Sequence, residues 1–174
     1  MNLSEEILRL EGRLARSGGV VTIATAESAT GGRIADRLTN AAGSSDYFVG
    51  GIVAYSNEAK QALLGVRAAT LAGCGAVSAE VACEMAEGAR RALCAAIAIS
   101  DTGIAGPGGA TAGKPVGLFY LGFATADGCS AREERFTGGR YDNKDAAVET
   151  ALTLLRDYLL QCCEARGANN NGSL

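Results

Sequence analysis

The stretch VVTIATAESATGG, residues 20–32, decides the fold class of this 174-residue chain. Its first six residues are apolar and β-branched, which predicts a buried strand, and residues 31–39 carry a helical pattern. The segment between, Ala26–Gly32, places a serine where the strand turns into the helix. Open α/β sheets bind ligands at such junctions, beyond the carboxyl ends of their strands. Gly31 and Gly32 let backbone amides approach an anion closely there.

Apolar and helical periodicity along the rest of the chain predicts alternating helices and strands. Further helices are expected from Ser4 to Ala15, after Asn57, after Ser78 and from about Asp142 to Gln161, with Ser4, Asn57 and Ser78 as N-caps. Further strands are expected at residues 48–55, 95–100, 116–125 and 130–136, the last two forming a hairpin.

This order of elements predicts an α/β fold. Because helices separate the early strands, those strands are expected to be parallel, whereas the hairpin forces at least one antiparallel strand. We therefore predict a three-layer α/β/α architecture with a mixed, mostly parallel sheet of about five strands. Residues 1–165 are expected to form a single domain, and residues 166–174 a disordered tail.

Composition and charge exclude several classes of protein. The chain is 48% hydrophobic and 20% charged, which is typical of globular proteins. A net charge of -3 without a Lys/Arg cluster argues against nucleic acid as a partner. No apolar stretch reaches the roughly 18–20 residues that span a bilayer, and the amino terminus lacks signal-peptide features. We therefore expect a cytoplasmic protein without a membrane partner.

The chain contains no histidine, and its six cysteines form no C-x-x-C pair. A zinc site would therefore need thiolates or carboxylates alone, and we expect neither a metal nor a cofactor. The same absence means that a serine nucleophile needs a base other than imidazole.

Polar side chains follow three of the predicted strands. The first set is Glu27, Ser28 and Thr30, the second is Tyr55, Ser56, Asn57 and Lys60, and the third is Ser100, Asp101, Thr102 and Gly103. Because the carboxyl ends of parallel strands meet at one edge of a sheet, we expect these sets to lie close together.

Three of these side chains each have two interpretations. Serine is a good helix N-cap, and position alone favours that interpretation for Ser28. The functional interpretation is a nucleophile whose proton passes to Lys60, since burial favours an uncharged lysine. Taken alone, Lys60 favours the other interpretation, a solvated lysine on a helix surface. Tyr55 is either a strand-end aromatic or a phenol that hydrogen-bonds the Ser28–Lys60 pair.

Residues 102–109 contain four glycines and one proline, more than a simple connection requires. The amides of Gly103, Gly106 and Gly108 are candidates for an oxyanion hole or a phosphate nest. The segment lacks the Gly-Lys-Ser/Thr ending of a Walker loop. Arg140, before the last predicted helix, is either a surface residue or a fork for a carboxylate or phosphate.

Four ordered motifs resemble the CinA C-terminal domain family. They are AESATGG at residues 26–32, GIVAYSNEAK at 51–60, GAVS at 75–78, and TGIAGPGG at 102–109 followed by KPVG at 114–117. The resemblance covers about residues 5–162. Because the family includes stand-alone nicotinamide mononucleotide amidases, the resemblance implies a metal-free amidohydrolase that converts this nucleotide to nicotinate mononucleotide and ammonia.

The resemblance also implies a role for each matching residue. Ser28 would be the nucleophile, Lys60 its base, Tyr55 a support for the pair, and Thr102 a group that orients substrate or stabilises the oxyanion. The implied substrate-binding residues are Glu27, Thr30, Gly31, Gly32, Gly103, Gly106, Gly108 and Arg140. A homo-oligomer is plausible on the same ground. Ala29 and Lys144 depart from the family pattern, where many members have cysteine and arginine.

The alternative is a catalytically inactive domain of the same fold that binds a nucleotide or a partner, because fold does not determine function. Tight binding of the mononucleotide without turnover would favour that alternative.

Overall fold

This computed structural model describes residues 2–19 and 21–170, which contain six α-helices and five strands. The helices are α1 (Leu3–Arg16), α2 (Arg33–Thr39), α3 (Asn57–Leu64), α4 (Ala68–Cys74), α5 (Ala79–Ala92) and α6 (Arg140–Asn170). The strands are β1 (Ile23–Glu27), β2 (Phe48–Val53), β3 (Ile97–Gly103), β4 (Leu118–Thr125) and β5 (Gly128–Arg135).

The five strands form one sheet in the order β2-β1-β3-β4-β5. β1 pairs in parallel with β2 and β3, whereas β4 is antiparallel to both β3 and β5. Four strands therefore run in one direction and β4 opposes them, which confirms the predicted mixed sheet. The predicted hairpin is also confirmed, with its register running from Leu118 opposite Arg135 to Thr125 opposite Gly128.

Helices cover both faces of the sheet, as the three-layer prediction requires. On one face, α1, α2 and α6 pack on large aliphatic side chains of β1 and β3, including Ile23, Ile97 and Ile99. On the other face, α3 and α5 pack on small residues, including Ala24 and Ala98. Because successive strand residues point to opposite faces, Ile23 and Ala24 enter different cores. Small side chains allow α5 to approach the middle of the sheet closely.

Two of the predicted N-caps are wrong by one or two residues. Asn2, not Ser4, caps α1 and accepts the amide proton of Glu5, while the Ser4 hydroxyl donates to the Arg37 carbonyl. Ser56, not Asn57, caps α3. An N-cap residue needs an extended backbone, which Ser56 has at φ −86° and ψ 161°. The prediction that Ser78 caps a helix is confirmed for α5.

Other boundaries also differ from the sequence prediction. β1 continues to Glu27 because its pairing with β2 extends that far, and Val20, where the predicted strand began, lies outside the described residues. α4 was not predicted. The predicted tail overlaps α6, which continues to Asn170, and Arg166 donates to the carbonyl of Ser17 at 3.2 Å. Residues 171–174 lie outside the described residues.

Gly88 provides a test of how closely α5 packs on α3. A Cβ at this position would lie 2.0 Å from the carbonyl oxygen of Leu64. We expect Gly88→Ala to lower the free energy of unfolding by about 1–3 kcal/mol, because the two helices must move apart. Where a helix has room for the Cβ, replacing glycine with alanine instead raises the free energy of unfolding by about 1 kcal/mol. Urea unfolding followed by circular dichroism measures the difference.

The matched control is Gly73→Ala in α4, where a Cβ would meet nothing within 4 Å. This variant is expected to be as stable as the wild type or slightly more stable. Equal stability of Gly88→Ala and Gly73→Ala would contradict the packing described here.

Candidate active site

Ser28 and Lys60 are in direct contact at the carboxyl ends of β1 and β2. Ser28 follows β1, Lys60 lies in the first turn of α3, and 2.8 Å separates Ser28 Oγ from Lys60 Nζ. Lys60 is 1% exposed and Ser28 is 8% exposed. The expected convergence of these two side chains is therefore confirmed, and Lys60 is a buried residue rather than a solvated one.

Two carbonyl groups orient the amine of Lys60. Nζ lies 2.9 Å from the oxygen of Ala54 and 3.2 Å from that of Tyr55. A neutral amine donates its two protons to these oxygens and turns its lone pair towards the Ser28 hydroxyl. Burial lowers the pKa of Lys60 below its ordinary value, and the charge of Asp101 opposes this effect. The arrangement suits a lysine that accepts a proton from serine.

Asp101, in β3, determines the path of the turn that carries Ser28. The side chain is fully buried, with Oδ1 accepting the amide proton of Ser28 at 3.0 Å and Oδ2 that of Thr30 at 3.1 Å. Burial raises the pKa of this carboxyl group to about 6, and the nearby charge of Glu27 adds to the effect, although the hydrogen bonds from Thr30 and Ser28 oppose it.

Glu27 satisfies the amino terminus of α2. Its carboxylate accepts the amide protons of Gly32, Ile34 and Ala35 at 2.8–3.0 Å, and the side chain is fully buried. A carboxylate is favoured at this position because the first amides of a helix carry partial positive charge. The Thr30 hydroxyl lies 2.7 Å from Glu27 Oε2 and also contacts Asp101 Oδ1.

These contacts exclude the N-cap interpretation of Ser28 and correct the expected roles of its neighbours. The N-cap residue of α2 is Gly32, which has a φ of 96° and no capping side chain, so Ser28 does not cap this helix. Glu27 and Thr30 were expected to bind substrate, but both are fully buried and hydrogen-bonded within the turn. Gly31, with a φ of 68°, lies beside Lys144: a Cβ there would be 3.6 Å from its Nζ.

Tyr55 and Thr102 occupy the expected region with different contacts from those expected. Tyr55 is 64% exposed and its phenol oxygen lies 3.4 Å from Arg140 Nη2. The backbone carbonyl of Tyr55, not its phenol, contacts Lys60. The Thr102 hydroxyl donates to the carbonyl of Ala76 at 2.7 Å, which ties β3 to the segment before α5.

A cleft of about 190 Å³ borders Ala29, which follows Ser28, and Tyr55, whose carbonyl group contacts Lys60. It is lined by Ala29, Tyr55, Gly103, Ile104, Ala105, Gly106, Gly108, Gly109 and Arg140. Arg140 Nη1 donates to the carbonyl of Gly106 at 2.7 Å, which fixes the guanidinium group against the glycine-rich segment. Gly103, Gly106, Gly108 and Arg140, all expected to bind substrate, therefore line one cleft together with Ala29.

The sequence interpretation missed two positioning residues. Asp101 was named only as part of a strand-end set, although its carboxylate orders the Ser28 turn. Asn143 is fully buried in α6, donates to the carbonyl of Ala105 at 3.1 Å and accepts the amide proton of Gly138 at 2.9 Å. It thereby joins the start of α6 to the glycine-rich segment. No local pattern marks Asn143, because its partners lie in other elements.

Candidate metal sites and membrane-spanning helices are both absent from residues 2–19 and 21–170. Within those ranges, no group of three or more His, Cys, Asp or Glu side chains is placed to share a metal ion. None of the helices there is both long and apolar enough to cross a membrane. The six cysteines are free thiols, with Cys163 buried and Cys94 exposed.

The family model of the CinA C-terminal domain matches residues 9–159. A CinA-like protein from Geobacter sulfurreducens is 52% identical over 148 residues, which cover 85% of this chain and 36% of that protein. The chain therefore belongs to the CinA C-terminal domain family. It spans about a third of the length of the curated relatives it matches.

Solved structures share the same architecture. The competence/damage inducible protein CihA from Agrobacterium tumefaciens is 42% identical, with a TM-score of 0.81 over 88% of this chain and 93% of that one. A CinA superfamily protein from Klebsiella pneumoniae is 34% identical, with a TM-score of 0.83 over 92% of this chain and 99% of that one.

Glu27→Gln tests the stabilising role of this carboxylate. Glutamine replaces one acceptor oxygen with an amide that meets backbone donors, so we expect a loss of about 1.5–3 kcal/mol in the free energy of unfolding. Glu164→Gln, at an exposed position of α6, is the matched control and is expected to change stability by less than about 0.5 kcal/mol. Chemical unfolding curves measure both, and equal midpoints would refute the role assigned to Glu27.

Proposed function

We propose that this protein is an amidohydrolase that deamidates nicotinamide mononucleotide to nicotinate mononucleotide and ammonia. The observation that carries the proposal is the 2.8 Å contact between Ser28 Oγ and Lys60 Nζ, formed by a lysine that is 1% exposed. Serine–lysine pairs are a known means of activating a hydroxyl where no histidine serves as base. Membership of a family that includes such amidases supports the choice of substrate.

The reaction proceeds by acyl transfer to Ser28. Neutral Lys60 takes the hydroxyl proton as Ser28 Oγ attacks the carboxamide carbon, which forms a tetrahedral intermediate. The Lys60 ammonium group then donates this proton to the amide nitrogen, so that the C–N bond breaks and ammonia leaves an ester on Ser28. Water then attacks the ester and gives a proton to Lys60, and as the C–O bond breaks Lys60 returns this proton to Ser28 Oγ, so that nicotinate mononucleotide and the free serine are released.

The cleft offers groups for the oxyanion of the intermediate and for the phosphate of the substrate. Gly103, Gly106 and Gly108 line it, and their backbone amides are proposed to stabilise the oxyanion. Arg140 presents a guanidinium group held at Gly106 and is proposed to bind the phosphate. We propose that Thr102 acts indirectly, by ordering the segment around Ala76 that borders this region.

Ammonia release from purified protein and nicotinamide mononucleotide tests the proposal. We expect Ser28→Ala and Lys60→Met each to lower kcat/KM by about 10²–10⁴-fold, because each removes a partner of the proton transfer. Ser45→Ala, at an exposed position, is the control and is expected to retain wild-type activity. Tight nucleotide binding without ammonia release would support the inactive binding domain instead.

The pH dependence of the wild type tests the identity of the base. Because Lys60 acts in its neutral form, kcat/KM should rise with pH as Lys60 loses its proton. Burial lowers the pKa of Lys60, so the midpoint of this rise should lie below the ordinary lysine value of about 10.4. A rise centred at or above that value would argue against Lys60 as the base.

Arg140→Gln tests the proposed phosphate contact. Removal of a charged hydrogen-bond donor is expected to raise KM about 10–100-fold with little change in kcat, since the phosphate is bound equally in the ground and transition states. Arg16→Gln, at an exposed position near the end of α1, is the control. An unchanged KM would place the phosphate elsewhere.

A further inference from the structure

Three ionisable side chains are buried together beneath the Ser28 turn. Glu27 and Asp101 are fully buried and Lys60 is 1% exposed. Asp101, in β3, lies close to Glu27 at the end of β1 and to Lys60 in α3. Its neighbour on β4 is Leu121. From α6, Lys144 approaches the same turn at Gly31. Charges buried this deeply strongly influence one another's protonation.

The Thr30 hydroxyl lies between the two carboxyl groups. Its oxygen is 2.7 Å from Glu27 Oε2 and also contacts Asp101 Oδ1. A hydroxyl has one proton to donate, so it forms a hydrogen bond to only one of two ionised carboxylates. Both contacts are hydrogen bonds only when one of the carboxyl groups carries a proton and donates it to Thr30.

Asp101 is the better placed of the two carboxyl groups to hold that proton. The two oxygens of Glu27 accept three backbone amide protons from the first turn of α2 in addition to the Thr30 contact. Amide donors and the helix amino terminus both favour the ionised carboxylate. Asp101 accepts two amide protons, one fewer than Glu27, and its complete burial favours the protonated form. The order of donation is therefore Asp101 to Thr30 to Glu27.

The number of protons on Lys60 Nζ depends on whether Asp101 carries the shared proton. With two protons on Nζ, the amine donates to the carbonyls of Ala54 and Tyr55 and accepts from Ser28. With three protons, it donates to all three oxygens and cannot act as a base. One proton thus has two positions, on Lys60 or on Asp101, and the net charge of the site is the same in both arrangements.

We propose that Asp101 is a positioning residue that holds, through Thr30, the proton that Lys60 must lose before it can accept a proton from Ser28. The proton placement is a property of the folded protein, and its catalytic consequence rests on the proposed Ser28–Lys60 mechanism. When Asp101 carries the proton, the negative charge that favours the Lys60 ammonium form disappears. Asp101 therefore controls the fraction of Lys60 in the basic form.

The charge state of Lys60 is measured directly by NMR of protein labelled with ¹³C and ¹⁵N in lysine. Lys60, Lys114 and Lys144 are the three lysines of the chain, and the Lys60→Met variant identifies the signal of Lys60. Titration of the labelled wild type and of two variants, Asp101→Asn and Thr30→Val, then reports the pKa of Lys60 without any need for turnover.

We expect the two variants to shift this pKa in opposite directions. Asp101→Asn removes the negative charge and should lower it by about one unit or more. Thr30→Val removes the acceptor for the Asp101 proton, so Asp101 stays ionised and the pKa of Lys60 should rise. Thr30→Ser keeps a hydroxyl and should restore the wild-type value. The pH midpoint of kcat/KM should move with the Lys60 titration in each variant.

Several results would overturn the inference. A purely structural role for Asp101 predicts lower activity with an unchanged Lys60 titration. A fall or no change in the Lys60 pKa of Thr30→Val would show that Thr30 donates to Asp101 rather than accepting from it. If Asp101→Asn does not fold, the direction in which Thr30→Val shifts the pKa of Lys60 tests the inference by itself. If the titrations shift as expected but no ammonia is released, the proposed function fails and the proton placement stands.

Discussion

The carboxylate of Asp101, hydrogen-bonded to the amides of Ser28 and Thr30, is the interaction on which the rest of the site depends. It joins the end of β3 to the turn between β1 and α2, where the backbone leaves the sheet and its amides lose their ladder partners. A buried amide without a partner costs about 1–3 kcal/mol. Asp101 removes that cost and, in doing so, sets the direction in which Ser28 presents its hydroxyl.

The site requires charge to be buried, and the structure compensates for most of it. The carboxylate of Glu27 lies on the amino terminus of α2, where three amides offset the loss of water. Lys60 has two carbonyls and a hydroxyl in place of water. Burial raises the pKa of Asp101 and lowers that of Lys60, so the two groups compete more closely for a proton than they do in water. Burial together with a carboxyl group therefore favours the neutral form of the lysine, which is the form that can act as a base.

The glycine-rich segment and the start of α6 form the second part of the site. Arg140 and Asn143 both donate to carbonyls of that segment, at Gly106 and Ala105. A flexible sequence is therefore held at two successive residues by one rigid helix. Four glycines and Arg140 line the cleft next to Ala29, and a glycine-rich lining with a guanidinium group suits a small anionic ligand.

The sequence by itself determined the strands, every helix except α4, the mixed sheet and the meeting of three strand ends, because hydrophobic periodicity is a local property and the connections between strands constrain their directions. It also led to Ser28 and Lys60, through that convergence and the family motifs. Local patterns did not distinguish Ser56 from Asn57 as a cap, since both residue types suit the position and backbone conformation decides.

Only the tertiary structure decided what each buried polar group contacts. Ser28 meets Lys60 across 32 positions of sequence and Asp101 across 73, and such pairings follow from packing rather than from spacing. The same reason explains why the phenol of Tyr55 faces Arg140 and why the Thr102 hydroxyl is bound to Ala76. A buried donor forms a hydrogen bond with the acceptor that the fold places within reach. The sequence shows which residues are donors, but it does not show which acceptor each one contacts.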